Sequence, residues 1–547
     1  MLFSDPLTNK AQYEKFMDYY SKLYLRNASD IPSFMSTIFH CDDLDAENVP
    51  RIKKEKSKQP AFINEMPTEI LLDIFSQAIP STTIDPFNAT AGPWVLSKVC
   101  KKWNSIITTY APLWTNITID TSPKAMNVLK PYRCLLDVLK HSQDQPLSIR
   151  FVEGEDSMLS VTHMLLRILM KHAPRWKSLD FTLSNPETLA VLDAVRGRLG
   201  SLELLKFSGS PGMIADMPWS ATPCSIFADA PKLKSADVSM GGFTLELPFA
   251  QLKSFSDHWC GARAKEMSIP EGISKYLQEM GQVEEYKLYG PELKNVTPMT
   301  DNIRLPFLRT LHAGDPRVLR SIIAPRLEEV HVQLFNKDFR EVNLPVLLFL
   351  IERSRCSLRK ITFGDCMPVV NKFISILRVS PALEELALSF TVWNDRMDSC
   401  LLEILPSIHV KEGGEGEGDR EMPLVPRLTK LNIIVQHKHK SRTVPSMSFL
   451  RDTLIDAVEN RRNHKMTGVA KLASVEVRAA VLVKQDITVS PGAGNVERWN
   501  RLKDGGMGAL FHVIGGKADE ECSPSNSRMI RVDPDPRSPA YLQREYV

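Results

Sequence analysis

The sequence predicts an α/β protein in which a short all-helical module is followed by an irregular α/β solenoid with a parallel sheet on its concave face. Three observations lead there. Two short amphipathic helices fall between residues 61 and 120, an apolar strand pattern preceded by a helix recurs beyond residue 140, and proline stands at one fixed offset before many of those strands. The 547 residues offer room for several cores or one long array, and a composition of 43% hydrophobic and 24% charged residues is that of a chain that folds in water.

Residues 1–60 form the first of four segments. A helix is expected around Tyr13 to Tyr24, then a polar linker ending in the basic run from Arg51 to Lys58. Such a run is ordinarily a solvated stretch.

Residues 61–120 change in texture. Met66-Pro67-Thr68-Glu69 opens a helix with a proline and an acid in its first turn, and Ile70, Leu71, Ile74, Phe75 and Ala78 share one helical face. After a loop from Pro80 to Pro93, a second helix carries Leu96, Val99, Cys100, Trp103 and Ile107 at helical spacing. Residues Thr109 to Pro112 break it, and Ile117-Thr118-Ile119 alternates as a strand does. Two helices this short cannot bury both apolar faces on each other, so apolar surface is left for a partner. Trp94, Trp103 and Trp114 each sit on the apolar face of their own element and read as core.

Residues 121–490 are repetitive. An anchor leucine or its substitute, two residues, then two apolar positions one residue apart recurs eleven times, from Trp176-Leu179-Phe181 to Leu472-Val475-Val477, with only the first apolar position present at Leu252-Phe255, at spacings of 19 to 45 residues. This brackets the leucine-rich repeat period loosely. Proline stands two residues before the anchor in six of the eleven (Pro174, Pro231, Pro306, Pro325, Pro381, Pro426), where 37 prolines in 547 residues predict fewer than one. Proline there ends the preceding helix and extends the chain into the strand. Intervening segments such as Leu189, Leu192, Val195 and Leu199, or Val370, Phe373 and Leu377, are helical by spacing. Short near-periodic helix–strand units favour a curved solenoid over a doubly wound sheet. Lys411 to Arg420 is an acidic flexible loop by composition, and residues 491–547, rich in Gly, Pro, Asp and Ser, read as a flexible tail.

Composition excludes several functions. Lys and Arg number 68 against 65 for Asp and Glu, a net charge of +3 that argues for neither nucleic acid nor an anionic membrane. The nine cysteines are scattered and contain no C-x-x-C pair, so neither a disulfide framework nor a zinc ribbon is indicated. Asp5, Lys10 and Glu14 stand where a signal peptide needs an apolar run, which places the protein in the cytoplasm or nucleus. The glycines before Lys517 lack the partner glycine (Phe511) and the following hydroxyl residue (Ala518) of a phosphate loop, and no hydrolase, zinc-protease or kinase motif occurs. His437-Lys438-His439 reads as a solvated basic loop rather than a metal site. No catalytic, metal or cofactor residue is assigned, and the protein reads as a non-enzyme.

The segment from Ile63 to Ile119 resembles an F-box, in the variant of mushroom-forming fungi where a short F-box precedes degenerate leucine-rich repeats. The residues that carry the resemblance are Met66-Pro67-Thr68-Glu69-Ile70-Leu71, Ile74-Phe75, Trp94-x-Leu96-Ser97-x-Val99-Cys100-x-x-Trp103 and Pro112-Leu113-Trp114. Met66 replaces a leucine of the family pattern, and the loop to Pro93 is long. The resemblance implies the substrate-recognition subunit of an SCF-type ubiquitin ligase, binding an SKP-family linker protein through the F-box and an unidentified protein substrate through the solenoid. Carried over by position, Pro67, Ile70, Leu71, Ile74, Phe75, Leu96, Val99, Cys100 and Trp103 form the linker-binding surface or the core under it. The alternative is a leucine-rich protein-binding scaffold with no ligase role. Burial of Ile70, Leu71, Ile74 and Leu96 together would favour that alternative. Lys206, Lys234, Lys253 and Arg309 flank the strands as candidate contacts for a phosphorylated substrate.

Overall fold

A computed structural model describes residues 66–516 except 79–82, 89–91, 122–128, 156, 211–223, 240–244, 259–268, 290–301, 334–342, 365–368, 391–394, 409–423, 438–447, 451, 464–467 and 483–492. The helix expected near the start, the basic run, the acidic loop and the segment beyond 516 lie outside the described residues.

The front module consists of α1 (Thr68–Ala78), α2 (Pro93–Ser97), α3 (Lys101–Thr109) and a 3-10 turn at Ala111–Trp114. Strands then alternate with helices: β1 (Asn116–Asp120), α4 (Leu129–His141), β2 (Leu147–Val152), α5 (Leu159–Met170), β3 (Trp176–Leu183), α6 (Pro186–Leu192), β4 (Leu204–Gly209), β5 (Ser235–Ser239), β6 (Ser254–His258), α7 (Ile269–Glu279) and β7 (Glu285–Tyr289). The second half runs β8 (Ile303–Arg304), β9 (Thr310–Ala313), α8 (Pro316–Ser321), β10 (Ile322–Ile323), β11 (Glu329–Gln333), α9 (Asn343–Ser354), β12 (Lys360–Gly364), α10 (Val370–Arg378), β13 (Glu385–Phe390), α11 (Asp395–Ile404), β14 (Lys430–His437), α12 (Asp452–Asn463), β15 (Ser474–Leu482), α13 (Ala493–Asp504) and β16 (Gly508–Gly516).

Fourteen of these strands form one sheet in strictly sequential order, β1 to β7, β9, then β11 to β16. Every pairing in it is parallel, while β8 and β10 pair separately. A doubly wound sheet reverses its order at a switch point; this one never does. Among the described residues no pairing joins β1 to β16, so the sheet is open and not a barrel. Sequential parallel strands with right-handed crossovers carry all their connections on one face. That face is the core side.

All eleven anchor patterns fall on strands of this sheet. Their middle residues lie side by side, for example Leu179, Leu205, Ala236, Phe255 and Tyr286, or Val330, Ile361, Leu386, Leu431 and Val475. Each of these is at most 2% exposed. Alternation makes the intervening residues face the other side. One member of the next buried row departs from the pattern: Asp257 stands between Val238 and Leu288 and is fully buried. The Tyr276 hydroxyl donates to its Oδ2 at 2.9 Å and lies 3.1 Å from the Tyr286 hydroxyl.

The proline offset has a more specific cause than helix termination. In all six cases the anchor N–H bonds back to the carbonyl of the residue before the proline, as Leu233 does to Ala230 at 3.1 Å and Leu428 to Val425 at 3.2 Å. Proline thus occupies the second position of a four-residue turn, where its fixed φ is already correct.

Two sequence expectations are corrected. The single second helix is two, because Cys100 is extended (φ −159, ψ 168) and caps α3, its Sγ accepting from the Trp103 N–H at 3.5 Å. Strand β1, at the end of the segment 61–120, pairs with β2 along its whole length. Residues 493–516 are not part of a flexible tail: α13 and β16 form there, and β16 matches β15 over nine residue pairs. Composition missed them because a strand's backbone bonds come from its neighbour, whatever glycines it contains.

Candidate protein-docking site

Helix α1 has two apolar faces, not one. Leu71 and Phe75 are fully buried, and the Phe75 ring lies 4.6 Å from that of Trp103 on α3, which is 9% exposed. Ile70 and Ile74, one residue earlier in each pair, are 47% and 36% exposed. A step of one residue turns about 100° around a helix, enough to move a side chain from the core to its flank.

The second pair of helices repeats the division. Gly92 (φ 64) turns the chain into α2 in a conformation that suits glycine, with Pro93 opening the helix. Val95 and Val99 are 45% and 57% exposed, Leu96 and Cys100 are half-buried, and Trp103 and Ile107 point into the module. Pro67, directly before α1, is exposed. The nine sequence candidates therefore separate into a core trio of Leu71, Phe75 and Trp103, an exposed set of Pro67, Ile70, Ile74 and Val99, and the half-buried Leu96 and Cys100. Val95 was missed by sequence reasoning. The split of the second helix rotates it outward, and no spacing signal showed that break.

The module is fastened to the sheet through Trp114. This residue is 1% exposed, its indole N–H donates to the Ile107 carbonyl at 2.8 Å, and Trp94 packs edge-on against it at 5.7 Å. His141 at the end of α4 lies 4.8 Å from the same ring and holds the Thr108 carbonyl within 3.0 Å through Nδ1. Ile84 bridges β1, its N–H bonding Asn116 and its carbonyl accepting from Thr118.

The F-box-like family model matches residues 63–120. F-box domains in general bind SKP-family linker proteins in SCF-type ubiquitin ligases, and proteins bearing them are typically adaptors rather than enzymes. The match covers the front module and the first strand and leaves the other strands unassigned. No curated protein matches the chain.

Three of the four basic residues singled out for phosphate binding stand directly before strands β5, β6 and β9 and are engaged there. Lys253 reaches Glu284 at 3.0 Å, Arg309 reaches Glu328 at 3.4 Å and Lys234 approaches Glu203 at 4.0 Å. They form cross-strand ion pairs and not a basic cluster. Among the described residues no group of three or more His, Cys, Asp or Glu could hold a metal ion, and no helix is long and apolar enough to cross a membrane.

Proposed function

We propose that this chain is the substrate receptor of an SCF-type ubiquitin ligase, of the fungal kind in which an F-box precedes degenerate leucine-rich repeats. The F-box-like module binds an SKP-family linker, and the parallel-stranded array presents a protein substrate. The single observation that carries the reading is the double face of α1. Leu71 and Phe75 hold the module together, while Ile70 and Ile74, like Val95 and Val99, are left exposed in the segment the F-box-like model matches. Aliphatic side chains exposed at helical spacing are what a hydrophobic groove engages. The role is adaptor work in the cytoplasm or nucleus, without chemistry of its own; the Trp114 joint gives the linker face a fixed attachment to the sheet.

Co-purification of the full chain with a purified SKP-family linker tests this, beside Ile70→Asp and Val99→Asp variants. A one-to-one complex lost in both variants, which keep wild-type melting behaviour, supports the reading. No complex with a well-folded wild type overturns it and leaves a protein-binding scaffold with no ligase role.

A further inference from the structure

The open face of the sheet carries a row of stacked rings across β6, β7, β9 and β11, where much of the face carries ion pairs. His258 stacks on Tyr289 at 4.4 Å and 18°. Tyr289 meets His312 at 6.2 Å, with its hydroxyl 3.4 Å from His312 Nδ1, and His312 stacks on His331 at 4.9 Å and 10°. At the β5 end, Asp237 Oδ1 lies 3.2 Å from His258 Nε2, and the Asp237 side chain is 38% exposed.

Electrostatically the row has two ends. Burial, then the Asp237 and Glu285 carboxylates, push the Tyr289 phenol up to about 12. Burial, then His331, Lys287 and Lys360, push His312 down to about 3, against the opposing pull of Glu285. Burial opposes charge at both rings; what sets the first end apart is the part-exposed Asp237 carboxylate, an acceptor for a cation. The other end is a poor host for an anion, because Lys287 is closed onto Glu285 at 2.6 Å and Lys360 onto Glu385 at 2.9 Å. Lys206 stands opposite Asp237 in the β4–β5 register, but the ion-pair partner of Asp237 among the described residues is His258.

We infer that Asp237, His258 and Tyr289 form a subsite for an arginine side chain of a protein partner, the guanidinium packing on the His258 ring on its side away from Tyr289 and donating to the Asp237 carboxylate. Arginine fits better than lysine because its guanidinium is planar, weakly hydrated and forked, and so can stack and pair at once. The biological role of the subsite rests on the substrate-receptor reading; its binding does not, and is measured on the chain alone.

The probe is N-acetyl-arginine amide, titrated at pH 8 into the full chain carrying labelled histidine and tyrosine rings and followed by NMR. Saturable shifts confined to His258 and Tyr289 are expected, with a Kd on the order of a millimolar. N-acetyl-citrulline amide, alike in shape and uncharged, should bind at least about fivefold more weakly, and N-acetyl-lysine amide about threefold more weakly. Asp237→Asn should weaken arginine at least about fivefold while leaving the melting temperature near that of the wild type. Tyr289→Leu should abolish the shift at His258. Equal binding of citrulline, an unchanged Asp237→Asn, or no shift at either ring overturns the inference, and shifts at His312 with N-acetyl-phosphoserine amide alone would show an anion site instead. The Asn variant keeps the shape of the site, so the result stands even where the leucine variant fails to fold. Failure here leaves linker binding untouched.

Discussion

The front module and the open face of the sheet meet solvent in opposite ways. The module exposes aliphatic side chains that nothing in their own helices covers, at Ile70, Ile74, Val95 and Val99. The sheet closes its charges on one another, between strands in Lys360–Glu385 and at the strand entrances in Lys253–Glu284 and Arg309–Glu328. An aliphatic face binds by removing area from water and is little affected by salt, whereas a self-neutralised face has no surplus field to attract with and must recognise by local geometry. On the proposed reading, one surface suits a generic groove and the other a particular partner.

The sharpest way to break this comparison is to attack the core beneath the aliphatic face. Phe75→Ala should cost about 3–5 kcal/mol in denaturant unfolding, because it empties a site packed on Trp103. A loss below about 1 kcal/mol would mean that α1 is not held as described.

Arg461 is next. It is 1% exposed, donates to the carbonyls of Val425, Pro426, Leu428 and Ala470, and is pushed down by burial to about 10, so it stays charged at neutral pH. Arg461→Met should cost about 2–4 kcal/mol, because those buried acceptors lose their donor. Its effect should be confined to the array, with linker binding retained.

The ring row predicts an acid limb. His312 binds its proton in the unfolded chain near 6.5 and in the folded one near 3, so between these values the unfolded state holds more protons. Stability is then full above about pH 6.5 and falls as pH drops toward 3. For a ring that is partly exposed, the loss should be on the order of 1–3 kcal/mol, and His312→Gln should flatten it in urea titrations at pH 7 and pH 4.

Ile70→Asp should change stability by less than about 0.5 kcal/mol and yet weaken the linker complex at least about tenfold in calorimetry. Comparable losses in both would place Ile70 in the core and remove the distinction between the two faces of α1. The smallest effect belongs to the rim: a double-mutant cycle on Lys253 and Glu284 should give about 0–0.5 kcal/mol of coupling, falling with salt.

Much of the array was legible because its physics is local. A leucine, two residues and an alternating apolar pair specify a half-buried strand, and the proline two places earlier specifies the turn that starts it; both depend on neighbours within a few residues. Leu147, Ile149 and Phe151 of β2 alternate too, behind Pro146, and could have been read in the same way. Strand β16 could have been read too, since Ala509 to Ile514 is a largely apolar run bounded by glycines; the Gly-, Pro- and Ser-rich composition around it masked the signal.

The docking residues divide along the same line. Spacing along the chain is enough to place amphipathic helices in 66–114 with more apolar surface than they can bury, and a run of anchored strands after them. Which of Ile70, Leu71, Ile74 and Phe75 face inward, the break of the second helix at Cys100, and the row of His258, Tyr289, His312 and His331 across four strands emerge only on folding. The reason is physical. Periodicity fixes the angle between side chains on one element, but only packing fixes where that element points, and residues from different repeats become neighbours only through the strand register.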